Sequence, residues 1–227
     1  MSVLYGELAD YYELIIQKDT GKEVEFLDEH LREGSVLDMA CGNGRHSCAL
    51  KEKGYEPVGV DISDEMVEKA RQRCDAEFSV GNVLDLDLDR KFDNAIMMWS
   101  TVNLFQREGV EKIIETAYSH LGSGGRFLLD VRKYPGDGSE TGEEVVENEE
   151  VRIETEVERD YAERRRESVY RYTVRHRDSG ETERFVEKET SYYYSREQFL
   201  EMLESTGFEV EVLEREDGKR LVFLCEK

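Results

Sequence analysis

Basic residues are scarce: 31 lysines and arginines stand against 53 aspartates and glutamates, a formal charge of −22 in 227 residues. The acids are spread along the chain and not gathered in one tail, so most of the surface repels a polyanion, which argues against a nucleic-acid partner. No run of eighteen apolar residues occurs, and no membrane partner is expected. The opening Met1-Ser2-Val3-Leu4-Tyr5-Gly6 lacks a basic segment followed by an apolar one, so the expectation is a soluble, cytoplasmic protein. Cys41, Cys48, Cys74 and Cys225 form no C-x-x-C pair and have no histidine at metal-ligand spacing. Four reduced, partly buried thiols and no metal are therefore expected. With 38% hydrophobic residues, the chain can bury one large core and carry one insertion.

A glycine is also missing where it would be diagnostic. The apolar run Val36-Leu37 ends on Asp38, and Met39-Ala40-Cys41-Gly42-Asn43-Gly44 then turns the chain toward a helix that opens at Arg45-His46-Ser47. Glycine at such a bend permits positive φ and close approach of backbone to a ligand. A dinucleotide fingerprint, G-x-G-x-x-G, needs a third glycine and a loop that tolerates pyrophosphate. Here the third is absent, and Asp38 lies four residues before Gly42. A carboxylate beside the loop repels phosphate and suits a sulfonium or ammonium. A second strand, Val58-Gly59-Val60, closes on Asp61, 23 positions beyond Asp38. That is the place of an acid that accepts hydrogen bonds from ribose hydroxyls in a βαβ unit.

These residues resemble the class I S-adenosylmethionine-dependent methyltransferases, and the resemblance covers nearly the whole chain. The family's first motif matches Asp38 to Gly44, and its ribose acid matches Asp61 with Ile62-Ser63 after it. Its third motif matches Phe78-Ser79-Val80-Gly81-Asn82-Val83, where Asn82 replaces the family's aspartate and offers adenine an uncharged amide oxygen. The fourth strand, Phe92 to Met98, and the turn Leu121-Gly122-Ser123-Gly124-Gly125 before Arg126 to Asp130 match later landmarks, five in register over about 90 residues. The resemblance implies S-adenosylmethionine as cofactor, held about Asp38, Ala40, Gly42, Gly44, Asp61, Ile62, Asn82, Val83 and Met98. It further implies that Leu8 to Ile16 folds over the cofactor as a lid touching it through Tyr12. Packing of Tyr12 against the domain is the alternative.

Elsewhere the pattern is legible residue by residue. Val24, Phe26, Leu27 and Leu31 recur at helical spacing and the segment closes at Gly34. Ser63 predicts an N-cap for a helix over 64–74, which sends Met66 toward the adenine or into the core. Val110, Ile113, Ile114 and Ala117 predict a helix over 108–121 that ends at Gly122. Ser195-Arg196-Glu197-Gln198 has capping-box form. The apolar runs 208–213 and 221–225, with Asp217-Gly218 between them, predict a terminal hairpin whose last strand lies antiparallel between two others. From Gly142 to Tyr194 the period changes to alternation, as in Val151, Ile153, Thr155 and Val157, then Tyr170, Tyr172 and Val174, which predicts three or four antiparallel strands.

The expected fold is α/β: a doubly wound, mostly parallel, seven-stranded Rossmann-like sheet with an inserted antiparallel β-sheet. Residues 1–141 carry the lid and the main part of the cofactor domain, 142–194 the insertion, and 195–227 the helix and hairpin that complete the domain. In relatives acting on amino sugars and glycine such an insertion borders the acceptor pocket. An oligomerisation sheet, as in a homodimer, is the alternative.

The expected activity is in-line transfer of a methyl group to a small-molecule acceptor, with alignment supplying much of the rate. Trp99-Ser100-Thr101-Val102-Asn103-Leu104 follows the fourth strand, where relatives keep acceptor-facing residues. No histidine occurs there, which favours an amine or carboxylate acceptor over a phenol that needs a base. Asn103 and Tyr12 are the candidate catalytic residues, with Arg132 and Tyr134 beside them, while His46 reads as structural. Two rivals stand: a dehydrogenase, which the missing glycine argues against, and a non-catalytic cofactor-binding regulatory or activator subunit.

Overall fold

The computed structural model describes residues 2–17, 20–214 and 218–227. The elements are α1 (Tyr12–Ile15), α2 (Gly21–His30), β1 (Ser35–Met39), α3 (Arg45–Glu52), β2 (Glu56–Asp61), α4 (Asp64–Arg73), β3 (Glu77–Val80), β4 (Phe92–Met97), α5 (Arg107–His120) and β5 (Leu121–Arg132). They continue with β6 (Gly138–Glu147), β7 (Val151–Ala162), β8 (Arg165–His176), β9 (Thr182–Tyr192), α6 (Arg196–Thr206), β10 (Glu209–Glu214) and β11 (Arg220–Glu226). The chain divides into two compact units, one of residues 20–133 and 193–227, the other of 1–19 and 134–192. Among the described residues no helix is long and apolar enough to cross a membrane.

The larger unit is a seven-stranded sheet in the order β10-β11-β5-β4-β1-β2-β3. β1 to β5 pair in parallel, and β11 runs antiparallel to both β5 and β10. Strand alternation explains why helices cover both faces. Val36, Ile96, Leu128 and Val222 pack with Val24, Leu27 and Leu50 of α2 and α3. Their strand neighbours Leu37, Ala95, Met97, Phe127, Leu129 and Phe223 pack with Val110, Ile113 and Ile114 of α5 and with Phe199 and Leu203 of α6. Ser63 caps α4 by accepting from the Met66 amide at 3.1 Å, and Ser195 and Gln198 form the capping box of α6. The Asp217 part of the expected hairpin turn lies outside the described residues.

Two local expectations change. α5 stops at His120, and Leu121 is already extended, with φ −87° and ψ 143°. The glycines read as a turn belong to the irregular start of β5, where the register against β4 shifts between Phe92 and Asn94. Glycine is as much at home in a β-bulge as in a turn, so composition alone does not separate the two.

The expectation of four reduced thiols fails. Cys48 on α3 and Cys74, the C-cap of α4, form a disulfide across a separation of 26 residues. Their Cα atoms are 5.8 Å apart, within the span a disulfide accepts. The pairing is made by packing of α3 against α4 around Val67, Ala70 and Phe78, which no local cysteine spacing announces. Cys41 and Cys225 are free and buried.

The smaller unit is the antiparallel sheet β6-β7-β8-β9. The boundary expected at 142 falls inside β6, whose first half, Gly138 to Thr141, is polar and exposed. β9 is one continuous strand, Thr182–Tyr192. Val146, Val151, Ile153, Tyr172 and Val174 form an apolar face that Leu8 and Ile15 complete from the N-terminal segment. On β7 and β8, Arg171 pairs with Glu158 at 2.9 Å and Arg175 with Glu154 at 2.6 Å. These are solvated pairs of small energetic weight. The N-terminal stretch itself is a short 3-10 turn, Ala9–Tyr11, followed by the single turn α1.

Candidate active site

The C-terminal ends of parallel strands are where an open α/β sheet presents its ligand groups. Beyond β1 the chain bends through Ala40, Gly42 and Gly44, with φ of +61°, +55° and +73°. The two glycines serve different ends. A Cβ on Gly44 would sit 2.9 Å from both Ala70 and the Phe78 ring, so packing demands glycine there. A Cβ on Gly42 would meet only Met66 Cε, at 3.6 Å, so there the backbone angle sets the demand. Ala40 adopts the same left-handed region without glycine's freedom.

Two carboxylates flank this bend. Asp38 is 2% exposed and accepts the Ser47 hydroxyl at 2.6 Å. Burial pushes its carboxyl above the usual range, against the pull of the His46 charge and the Ser47 hydrogen bond. Asp61 receives the Gly42 amide on Oδ2 at 2.8 Å and the Ser63 amide on Oδ1 at 3.0 Å. Its carboxyl is also raised, burial outweighing the amide hydrogen bonds. Met66 is fully buried, its Cε facing Gly42. β2 and β3 pair Asp61 with Val80, and beside that pair Ile62 and Val80 are exposed, 70% and 52%. Val80 is singled out only by this exposure, a consequence of its register with Asp61.

The remaining candidates separate. Asn82 turns its amide oxygen back to the Leu84 amide at 3.1 Å, and Val83 is buried. Met98 packs on the α2 and α3 side of the sheet, whereas Val83 belongs to the opposite layer. Asn103 is buried, with Oδ1 accepting from the Arg132 amide at 2.9 Å. Its oxygen thus fixes the end of β5. Tyr12 belongs to the smaller unit, is 7% exposed, and packs its ring 5.8 Å from that of Tyr5. Tyr134, also in that unit, donates to Asp137.

Sequence reasoning missed a buried charged cluster at the same strand ends. Glu23 accepts from His46 Nε2 at 3.2 Å, Trp99 Nε1 at 2.5 Å and Arg220 at 3.2 Å. Burial alone would raise its carboxyl. The hydrogen bonds from His46 and Trp99, with the charges of His46 and Arg220, outweigh that and hold it at about 2. Arg220 also donates to Asp130 at 2.9 Å. Glu23 and Arg220 are 197 positions apart, and neither lies in a motif. The available signal was an acid within the apolar stripe of α2.

Residues 36–125 match the model of the methyltransferase-domain family. Over that stretch the chain is similar to a methyltransferase domain. The chain is 28% identical over 137 residues to the dTDP-3-amino-3,4,6-trideoxy-alpha-D-glucopyranose N,N-dimethyltransferase of Streptomyces venezuelae, covering 56% of this chain and 58% of that one. A dTDP-4-amino-2,3,4,6-tetradeoxy-D-glucose N,N-dimethyltransferase from Saccharopolyspora spinosa is 25% identical over 98% of this chain and 94% of its own. Among solved structures, Streptomyces venezuelae DesVI superimposes with a TM-score of 0.85, at 24% identity, over 96% of this chain and 97% of that one. The chain spans about half the length of the first curated relatives that it matches. The likeness to DesVI extends over both sheets, so the inserted antiparallel sheet belongs to the shared fold.

Proposed function

We propose that the protein is an S-adenosylmethionine-dependent N-methyltransferase whose acceptor is a small amine of the amino-sugar class. The observation that carries this reading is the Asp61 carboxylate, fixed by the Gly42 and Ser63 amides at the end of β2 next to exposed Ile62. The donor groups suit the cofactor. Asp61 offers a carboxylate to ribose hydroxyls, and Ile62 and Val80 offer exposed apolar surface to an adenine face. Asp38 and Asp61 are raised by burial, and both gain from a cationic ligand placed near them. S-adenosylmethionine supplies a methyl carbon already activated by its sulfonium.

The chain's task is then alignment. The glycine bend and Asp61 hold the donor, and the 99–104 segment borders the acceptor side. The acceptor nitrogen forms the new bond to carbon as the carbon–sulfur bond breaks with its electron pair left on sulfur, and the proton of the resulting ammonium passes to solvent. The absence of histidine from the 99–104 segment suits a neutral amine, which needs no strong base. The full-length relative and the S. venezuelae enzyme, both N,N-dimethyltransferases of dTDP-amino sugars, support an amine on a nucleotide-linked sugar.

Methyl transfer from labelled donor to a panel of dTDP-amino sugars, glycine and simple carboxylates tests the reading. Turnover on an amino sugar is expected. Tight binding of S-adenosylhomocysteine without turnover on any member would instead favour the regulatory-subunit alternative.

A further inference from the structure

Immediately after β4 the backbone does something costly for ordinary residues. Trp99 and Ser100, in succession, adopt φ of +65° and +58°. Outside a two-residue hairpin turn such as Glu163-Arg164, consecutive non-glycine residues in the left-handed region need surrounding groups to hold them. Both are held by carboxylates. Asp130, fully buried on β5, accepts the Ser100 amide at 2.8 Å and the Ser100 hydroxyl at 3.1 Å. Glu23 accepts the Trp99 indole N–H at 2.5 Å. One nitrogen of Arg220 then bridges the two acids, at 3.2 Å from Glu23 and 2.9 Å from Asp130.

The cluster reaches the donor side as well. His46, two residues past Gly44, donates to Glu23 at 3.2 Å and meets the Trp99 ring edge-on at 6.2 Å. The Arg45 guanidinium lies over the same ring at 4.7 Å. The glycine bend and the 99–100 turn therefore share one buried set of contacts. Beyond the turn, the 3-10 segment Thr101–Leu104 carries Asn103 back to the end of β5.

From this geometry we infer that Arg220 is a positioning residue: by tying Glu23 to Asp130 it clamps the Trp99–Ser100 turn and sets the acceptor-side segment 99–104 against the donor-binding bend. The inference rests on the proposed function for the identity of the two sides. Arg220 acts through the turn and touches neither reactant. A partly exposed arginine joining two buried carboxylates is more than neutralisation here, because each acid it joins holds one half of the strained turn. Removing it leaves two buried like charges a short distance apart, which favours their separation and releases the turn.

Trp99 is the chain's single tryptophan, so its fluorescence reports the turn directly. The experiment compares wild type, Arg220→Met and Arg220→Lys in three readouts: tryptophan emission with acrylamide quenching, S-adenosylhomocysteine affinity by calorimetry, and methyl transfer to the best acceptor of the panel. Arg220→Met is expected to red-shift the emission and raise quenching. It should lower kcat by about tenfold or more through misplacement while the KM for donor stays within about threefold. Arg220→Lys, which returns a cation and its donors, should recover emission and most of kcat. Wild-type emission and kcat in Arg220→Met would overturn the clamp, as would equal losses in the methionine and lysine variants.

If Arg220→Met fails to fold, Glu23→Gln is read in its place. It keeps an acceptor for Trp99 but weakens the bridge, so a red shift with reduced kcat is expected, and unchanged values overturn the clamp. Should wild type methylate no panel member, the methyl-transfer reading fails by itself, and the emission of the variants still decides on the clamp.

Discussion

The backbone amide of Gly42 donates to Asp61 Oδ2 at 2.8 Å. The acid that closes the second strand therefore also pins the bend that follows the first, and one side chain sets both halves of the proposed donor site.

Asp61→Ala should weaken S-adenosylhomocysteine binding by on the order of 1–3 kcal/mol, since it removes a charged acceptor and frees the Gly42 amide. Isothermal titration calorimetry reads this directly. An unchanged dissociation constant would place the ribose elsewhere.

Substitution of the two glycines should separate packing from backbone freedom. Gly44→Ala brings a methyl within 2.9 Å of Ala70 and Phe78, and a loss of about 1–3 kcal/mol in urea unfolding is expected for such overpacking. Gly42→Ala meets only Met66, at 3.6 Å. Its cost is that of the positive φ, roughly 1 kcal/mol, with donor affinity falling as the bend relaxes. Equal stabilities of the two variants would contradict this division.

Acid should weaken donor binding. Asp38 and Asp61 are both raised above the ordinary aspartate value by burial, so lowering the pH protonates them before an ordinary aspartate and removes the charge that a sulfonium meets. The sign for folding is opposite. A raised carboxyl contributes stability at low pH that is lost as pH rises through its folded value, and a bound cation offsets that loss. The increase in melting temperature on adding S-adenosylmethionine should thus grow from pH 4.5 to pH 7. A pH-independent increase would refute the role of the two acids.

Glu23 behaves in the other sense. Its carboxyl is held at about 2 against an ordinary 4.5, so its contribution is present above 4.5 and is lost as pH falls toward 2. That contribution is on the order of 3 kcal/mol. Urea unfolding at pH 6 and pH 3 should show a smaller acid-dependent drop in Glu23→Gln than in wild type.

Reduction of the Cys48–Cys74 bond, which closes a separation of 26 residues, should lower unfolding stability by about 3 kcal/mol. Melting with and without reductant measures it, with Cys48→Ser as the non-reducible comparison. Identical curves would show that the bond adds nothing in solution.

The sheet was readable because its signals are local. Val36 and Leu37, or Phe127 and Leu128, sit on opposite faces by strand alternation, and two helical layers follow from that. Asp38, Gly42, Gly44 and Asp61 were equally open to inspection, since a bend between strand and helix is specified by adjacent residues. What stayed hidden was made by distance along the chain. Glu23, Asp130 and Arg220 come from three remote segments, and the partnership of Cys48 with Cys74 depends on the packing of two helices. The stop of α5 was misjudged at Gly122 because glycines serve bulges as readily as turns. For Asn103 the sequence offers orientation of an acceptor or, more commonly for an asparagine, packing or capping; its oxygen accepts from the Arg132 backbone, a partner that only the folded end of β5 defines.

The apolar face of the four-stranded sheet is finished by Leu8 and Ile15 from the far N-terminal stretch. Anyone recombining this scaffold with a relative to change acceptor preference must therefore transplant residues 2–17 together with 134–192. Moving the hairpins by themselves would leave a greasy strip of Val151, Ile153 and Val174 uncovered, and the chimaera would aggregate before its selectivity was ever assayed.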